Sequence, residues 1–202
     1  MEIIIDSFIS NFKNALALVS YFEFIAVILS IIYLLLAIKQ NAWGFLAAFI
    51  STLIYSIIFF DATLFMSSLL NAYYLLMAIY GFYSWKKGFK NSEELKVSSL
   101  KVKTHFILII SLTILSIIIG YIMDNYTNAS FAYLDSFITI FALCTTYLLA
   151  KKILENWIYW IVIDSSSIYL YYQKDLFFTS FLFLIYTILA TFAYFSWRKN
   201  SL

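Results

Sequence analysis

The 202-residue sequence contains no proline, four glycines, one cysteine and one histidine, and only 12% of its residues are charged. Without proline, no span carries the commonest cause of a kinked or broken helix. The lone Cys144 excludes an intrachain disulfide, and one cysteine with one histidine supplies no metal framework. A soluble domain carries about 25% charged residues, so this chain cannot cover a water-facing surface. What it does contain is 64% hydrophobic and 21% aromatic residues. That composition suits lipid as the solvent. A helix crossing ~30 Å of hydrocarbon needs about 20 residues, which leaves room for seven spans joined by short loops.

Apolar runs bounded by polar residues predict spans at 20–38, 42–60, 62–85, 104–123, 130–150, 157–173 and 176–197. The resulting division is an interfacial N-terminal segment over 1–18, a three-helix bundle over 19–85, a cytoplasmic linker over 86–103, a connector helix over 104–123, and a second three-helix bundle over 130–199. A cleaved signal peptide is not expected, because Glu2 and Asp6 stand where a basic start belongs. The linker holds six lysines and the pair Glu93-Glu94, while the fourth span is almost wholly aliphatic. With seven spans, eleven of the lysines and arginines fall on one face, and only Lys13 and Lys174 fall on the other. The cation-rich face is expected to be cytoplasmic, with the N-terminus outside and the C-terminus inside.

Self-comparison yields a repeat. A shift of 114 residues lays Tyr33-Leu34-Leu35 on Tyr147-Leu148-Leu149, Trp43 on Trp157 and Ser51-Thr52 on Ser165-Ser166. In the last span the shift is 112, matching Tyr74 to Tyr186, Ala78 to Ala190 and Ser84-Trp85-Lys86-Lys87 to Ser196-Trp197-Arg198-Lys199. The expected fold class is all-α integral membrane, with seven transmembrane helices in a 3+1+3 parallel-repeat arrangement. Repeats of this kind are a transporter plan, with the substrate site between the halves near the midplane.

A charge at the bilayer centre costs at least ~2.5–3.5 kcal/mol, so intramembrane acids usually face a cavity and serve function. Asp164, seven residues past Trp157, lies ~10 Å inside the membrane edge. Asp135 is shallower, within reach of interfacial water. Trp157, Trp160, Asp164 and Ser167 follow an i, i+3, i+7, i+10 pattern, which aligns two indoles, a carboxylate and a hydroxyl on one helical face. Asn71, Tyr74 and Ala78 form a similar stripe on the third span. Such a surface can hold a flat aromatic ring, and a cationic ring would gain both indole faces and a counter-charge. Trp43, Trp85 and Trp197, at span ends, read as interfacial anchors, and His105 reads as interfacial too.

No basic residue is embedded in a span, which disfavours a phosphorylated substrate. No glycine-rich phosphate loop or metal motif occurs, so ATP-driven transport by this chain alone is excluded, and no cofactor, catalytic residue, metal or nucleic-acid partner is expected.

The run Glu155-Asn156-Trp157-Ile158-Tyr159-Trp160-Ile161-Val162-Ile163-Asp164, with Ser167-Ile168-Tyr169-Leu170-Tyr171, resembles the hallmark region of the PnuC family of bacterial vitamin transporters. Leu70-Asn71-Ala72-Tyr73-Tyr74 and Tyr80-Gly81-Phe82-Tyr83-Ser84-Trp85 carry the same likeness, which extends from about residue 20 to 199. The resemblance implies a SWEET-like architecture and passive import of nicotinamide riboside into the cell across the inner membrane, with phosphorylation by a cytoplasmic kinase trapping the substrate. It also implies that Trp157, Trp160, Asp164, Asn71 and Tyr74 lie at or near the ligand. Asparagine stands at the Asp164 position in some members, and tryptophan is common where Phe82 stands. Thiamine, carried by relatives called PnuT, and riboflavin therefore remain alternatives. The oligomeric state is open, a homo-oligomer included.

Overall fold

The computed structural model describes residues 21–61, 65–87, 95–127, 129–174 and 176–200. They form seven helices: α1 (Tyr21–Ile38), α2 (Gly44–Asp61), α3 (Phe65–Lys87), α4 (Val102–Tyr126), α5 (Ala132–Ala150), α6 (Asn156–Gln173) and α7 (Phe177–Asn200). Each overlaps one predicted span. α4 extends beyond the expected 104–123 at both ends, since neither 102–103 nor 124–126 contains the proline or glycine that would stop a helix. Among the described residues, α1, α4, α5 and α7 are long and apolar enough to cross a bilayer by themselves. The expected segment at 1–18 lies outside the described residues, as do Glu93 and Glu94.

The helices close a ring. α1 packs on α2, α2 on α3, α3 on α5, α5 on α6, α6 on α7, and α7 back on α1. α4 stands outside the ring against α5, where Gly120 lets the backbone of Tyr133 come close: a β-carbon at Gly120 would meet Tyr133 Cα at 3.0 Å. Small residues at helix crossings serve this purpose in membranes. Most of the α4 surface is exposed and aliphatic, including Ile107, Ile110, Ile114, Ile117 and Ile118, as suits a lipid-facing helix.

The bounds of α2 and α6 lie 112 residues apart at both ends, and α1 and α5 end 112 residues apart, at Ile38 and Ala150. The starts of α3 and α7, Phe65 and Phe177, have the same spacing. The turns agree in detail. Gln40 N–H donates to Ala37 O and Asn41 N–H to Leu36 O; Lys152 N–H donates to Leu149 O and Ile153 N–H to Leu148 O, all at 2.9–3.0 Å. Both turns are Schellman motifs, with Gln40 (φ 55°) and Lys152 (φ 52°) at the left-handed position. The 114-residue register expected for the first two spans is therefore corrected to 112, so Trp157 corresponds to Phe45 rather than Trp43, and Asp164 corresponds to Thr52. Identical letters misled because the fold repeats geometry, and the side chains at equivalent places have changed.

The linker is fastened to the second of these turns. Ser98 N–H donates to Lys152 O at 3.0 Å, and Leu154 N–H donates to Ser98 O at 2.8 Å. Glu155 accepts from Ser99 Oγ and, at 3.4 Å, from Leu100 N–H. No such strap crosses the Gln40 turn among the described residues.

Candidate functional site

A cavity of about 280 Å³ opens inside the helix ring, lined by residues of α1, α2, α3, α5, α6 and α7. From α6 come Trp157, Trp160 and Asp164, and from α3 come Tyr74, Met77 and Ala78. Two stripes read from the sequence thus face one space. The i, i+3, i+7 spacing succeeds because an unbroken helix returns those residues to one side. The same wall includes Tyr33, Phe45, Thr52, Thr146, Phe183 and Tyr186, none of which was singled out as a site residue. Tyr186 was within reach of sequence reasoning, since it is the repeat partner of Tyr74. Thr52 was not, because the 114-residue register hid its relation to Asp164.

Asp164 is 4% exposed and has no cationic partner among the described residues; Glu155, by contrast, lies 3.6 Å from His105 Nε2 through its Oε2. Among the described residues, no lysine, arginine or histidine lines the cavity. Trp157 is 1% exposed, and its indole N–H has no acceptor. A carboxyl group without a cation therefore lies in a wall that is otherwise mostly aromatic and aliphatic, and the Trp157 N–H is buried without an acceptor among the described residues. Buried polar groups are nearly always satisfied, and each exception needs a reason. Ser30 Oγ and the Tyr186 hydroxyl are hydrogen-bonded across the α1–α7 seam.

Three expected site residues do not line this cavity. Ser167 is buried, but its hydroxyl donates to Ile163 O at 2.9 Å within its own helix, the usual use of serine in a membrane helix. Asp135 is exposed in the first turn of α5. Asn71 is half-buried on α3, three residues from Tyr74, and is absent from the cavity wall. Two expected anchors are also corrected. Trp85 is 3% exposed and Trp197 fully buried, and their indole N–H groups donate to Leu149 O at 3.3 Å and Ala37 O at 3.0 Å. Their depth comes from packing between helices distant in sequence. Trp43 is exposed, with the Lys86 ammonium 4.8 Å from its ring centre. His105 is also partly buried, its Nδ1 2.8 Å from the Tyr159 hydroxyl.

A family model described as nicotinamide mononucleotide transporter matches residues 20–199. The chain belongs to this family. It is 21% identical over 196 residues to the nicotinamide riboside transporter PnuC of Escherichia coli (strain K12), covering 85% of this chain and 82% of that protein. The PnuC of Shigella flexneri gives the same identity and coverage. Among solved structures, the crystal structure of the vitamin B3 transporter PnuC superposes with a TM-score of 0.71 at 17% identity, over 96% of this chain and 89% of that one. The family and the apolar helices together make this a multi-pass membrane protein whose named relatives are transporters.

Proposed function

We propose that this protein imports nicotinamide riboside across the bacterial inner membrane by facilitated diffusion. The observation that carries the reading is the buried Asp164 carboxylate, unpaired in a cavity walled by Trp157, Trp160, Tyr74 and Tyr186. A pyridinium ring supplies the missing positive charge and a flat face for the indoles. The names of the curated relatives support the same substrate. The mononucleotide in the family's description adds a phosphate, for which the described residues of this wall hold no cation.

The chain is read as a 3+1+3 parallel repeat of SWEET-like plan, α1–α3 and α5–α7 forming the halves and α4 the connector. The common 112-residue spacing supports this. The turns at Gln40 and Lys152 belong to the cytoplasmic side, because the lysines and arginines gather there. Phosphorylation by a cytoplasmic kinase then removes the riboside from the equilibrium and draws in more. Trp157, Trp160, Asp164 and Tyr74 hold the ligand.

Purified protein in liposomes should equilibrate labelled nicotinamide riboside and concentrate it only when a riboside kinase and ATP are enclosed. Saturable uptake of thiamine or riboflavin without the riboside would replace the substrate, and binding of the mononucleotide with equal affinity would refute the argument from the missing cation.

A further inference from the structure

Beyond the cavity, four rings form a chain across the helix ring. Phe45 and Trp85 stand edge to face with centres 4.8 Å apart and planes at 84°, and Trp157 and Trp197 stand likewise at 5.3 Å and 88°. Trp85 and Trp197 meet in the middle at 5.6 Å. The repeat relates Phe45 to Trp157 and Trp85 to Trp197, so the chain is symmetric about the boundary between the halves. Phe45 and Trp157 also line the cavity, whereas Trp85 and Trp197 do not. The inner pair therefore lies behind the outer one.

The indole bonds obey the same symmetry. Trp85 of α3 donates to Leu149 O of α5, and Trp197 of α7 donates to Ala37 O of α1. Each acceptor is the carbonyl that also receives the left-handed residue's N–H in its Schellman turn. Every one of these indole bonds crosses between the first three helices and the last three. The side chains of the two left-handed residues meet across the same boundary: Lys152 Nζ donates to Gln40 Oε1 at 3.4 Å and sits 4.8 Å from the Trp85 ring centre. Lys152 is only 4% exposed.

We propose that Phe45, Trp85, Trp157 and Trp197, pinned by the two indole bonds and the Lys152–Gln40 contact, form the inner gate of the transport path, closed in this structure. This rests on the transport reading and assigns the gate within it. A substrate in the cavity can leave past residues 40 and 152 only if the halves part there. Parting breaks both indole bonds and the Lys152 contact together, because each one joins the two halves. Trp85 and Trp197 act as positioning residues: they seat the cavity rings Phe45 and Trp157 and do not themselves touch the cavity.

The test uses the full chain with Cys144→Ser and Ala190→Cys, which puts a single thiol in the cavity wall, and a membrane-impermeant maleimide applied to right-side-out or inside-out vesicles. The gate predicts slow labelling from the side bearing residues 40 and 152. Adding Trp85→Phe and Trp197→Phe keeps the rings and removes both donors. Loss of both hydrogen bonds should raise labelling from that side roughly 30-fold, while Trp43→Phe leaves it unchanged. Fast labelling from that side before the tryptophans are changed, or no acceleration afterwards, overturns the gate. If the double variant does not fold, Lys152→Gln on the same background should still accelerate labelling about twofold, and no change there likewise overturns it. No substrate enters the assay, so a wrong ligand cannot mimic a failed gate. Acceleration in right-side-out rather than inside-out vesicles would uphold the gate and reverse the assigned topology.

Discussion

Set side by side at a spacing of 112 residues, the two halves of the ring agree in some places and differ in others. Tyr74 and Tyr186, Ala78 and Ala190, Ser84 and Ser196, and Trp85 and Trp197 are identical pairs, clustered where α3 and α7 close the ring. Tyr74, Tyr186, Ala78 and Ala190 face the cavity as well, whereas between α2 and α6 the cavity pairs diverge: Thr52 corresponds to Asp164, Ala48 to Trp160, and Phe45 to Trp157. Trp85 and Trp197, which meet across the boundary, serve best when identical, because the same indole bond is needed twice. A small cationic ring has no such symmetry. It is held best by one large aromatic, acidic wall and one small wall that leaves room for it. α6 supplies the acid and both indoles, α2 leaves the room opposite them, and Tyr74 of α3 adds a ring from the first half.

Making the halves alike should therefore do most damage at Asp164. Asp164→Thr, copying Thr52, should weaken nicotinamide riboside binding on the order of 100-fold, since losing one partner of a desolvated charge pair costs ~2–5 kcal/mol. The melting temperature should hold or rise because a buried acid without a partner is gone; calorimetric titration and a melting curve read the two effects. Trp160→Ala, copying Ala48, should cost roughly tenfold in affinity, the worth of one cation–π face in a dry site, with uptake reduced in parallel.

Gly81→Ala, copying Ala193, tests packing rather than binding. A β-carbon at Gly81 would lie 2.3 Å from Phe45 Cε1, so the ring must shift, and overpacking of this kind costs about 1–3 kcal/mol. A lower melting temperature is expected, together with looser closure where Phe45 meets Trp85. Ser167→Ala should change little in either measurement, because its hydroxyl is spent on Ile163 O. Asp135→Asn, exposed at the start of α5, should leave uptake unchanged; a loss of transport there would move the site outward.

The parts legible in the sequence are those set by spacing along one helix. Trp157, Trp160 and Asp164 reach the cavity together because their spacing follows the helical period, and the absence of proline lets that period run unbroken. Ser167 lies on the same stripe yet is spent on its own backbone, a choice that spacing does not encode. Asn71 shows the limit from the other side, being near Tyr74 in sequence and outside the cavity wall in space. Trp85 and Trp197 resembled interfacial anchors because span ends usually carry such residues, and only the packing of α3 on α5 and α7 on α1 buries them.

Composition alone determined that the chain lives in lipid as a set of helices, because too few charges exist to face water and backbone groups in hydrocarbon must bond within their own helix. The repeat was also legible in the sequence. Its true register was decided by the tertiary structure, as were the closed helix ring, the tryptophan bonds across it and the pairing of Thr52 with Asp164. The register and the Thr52–Asp164 correspondence follow from where the helices and their turns fall, whereas the ring and the tryptophan bonds depend on contacts between residues tens to more than a hundred positions apart, which no local pattern specifies.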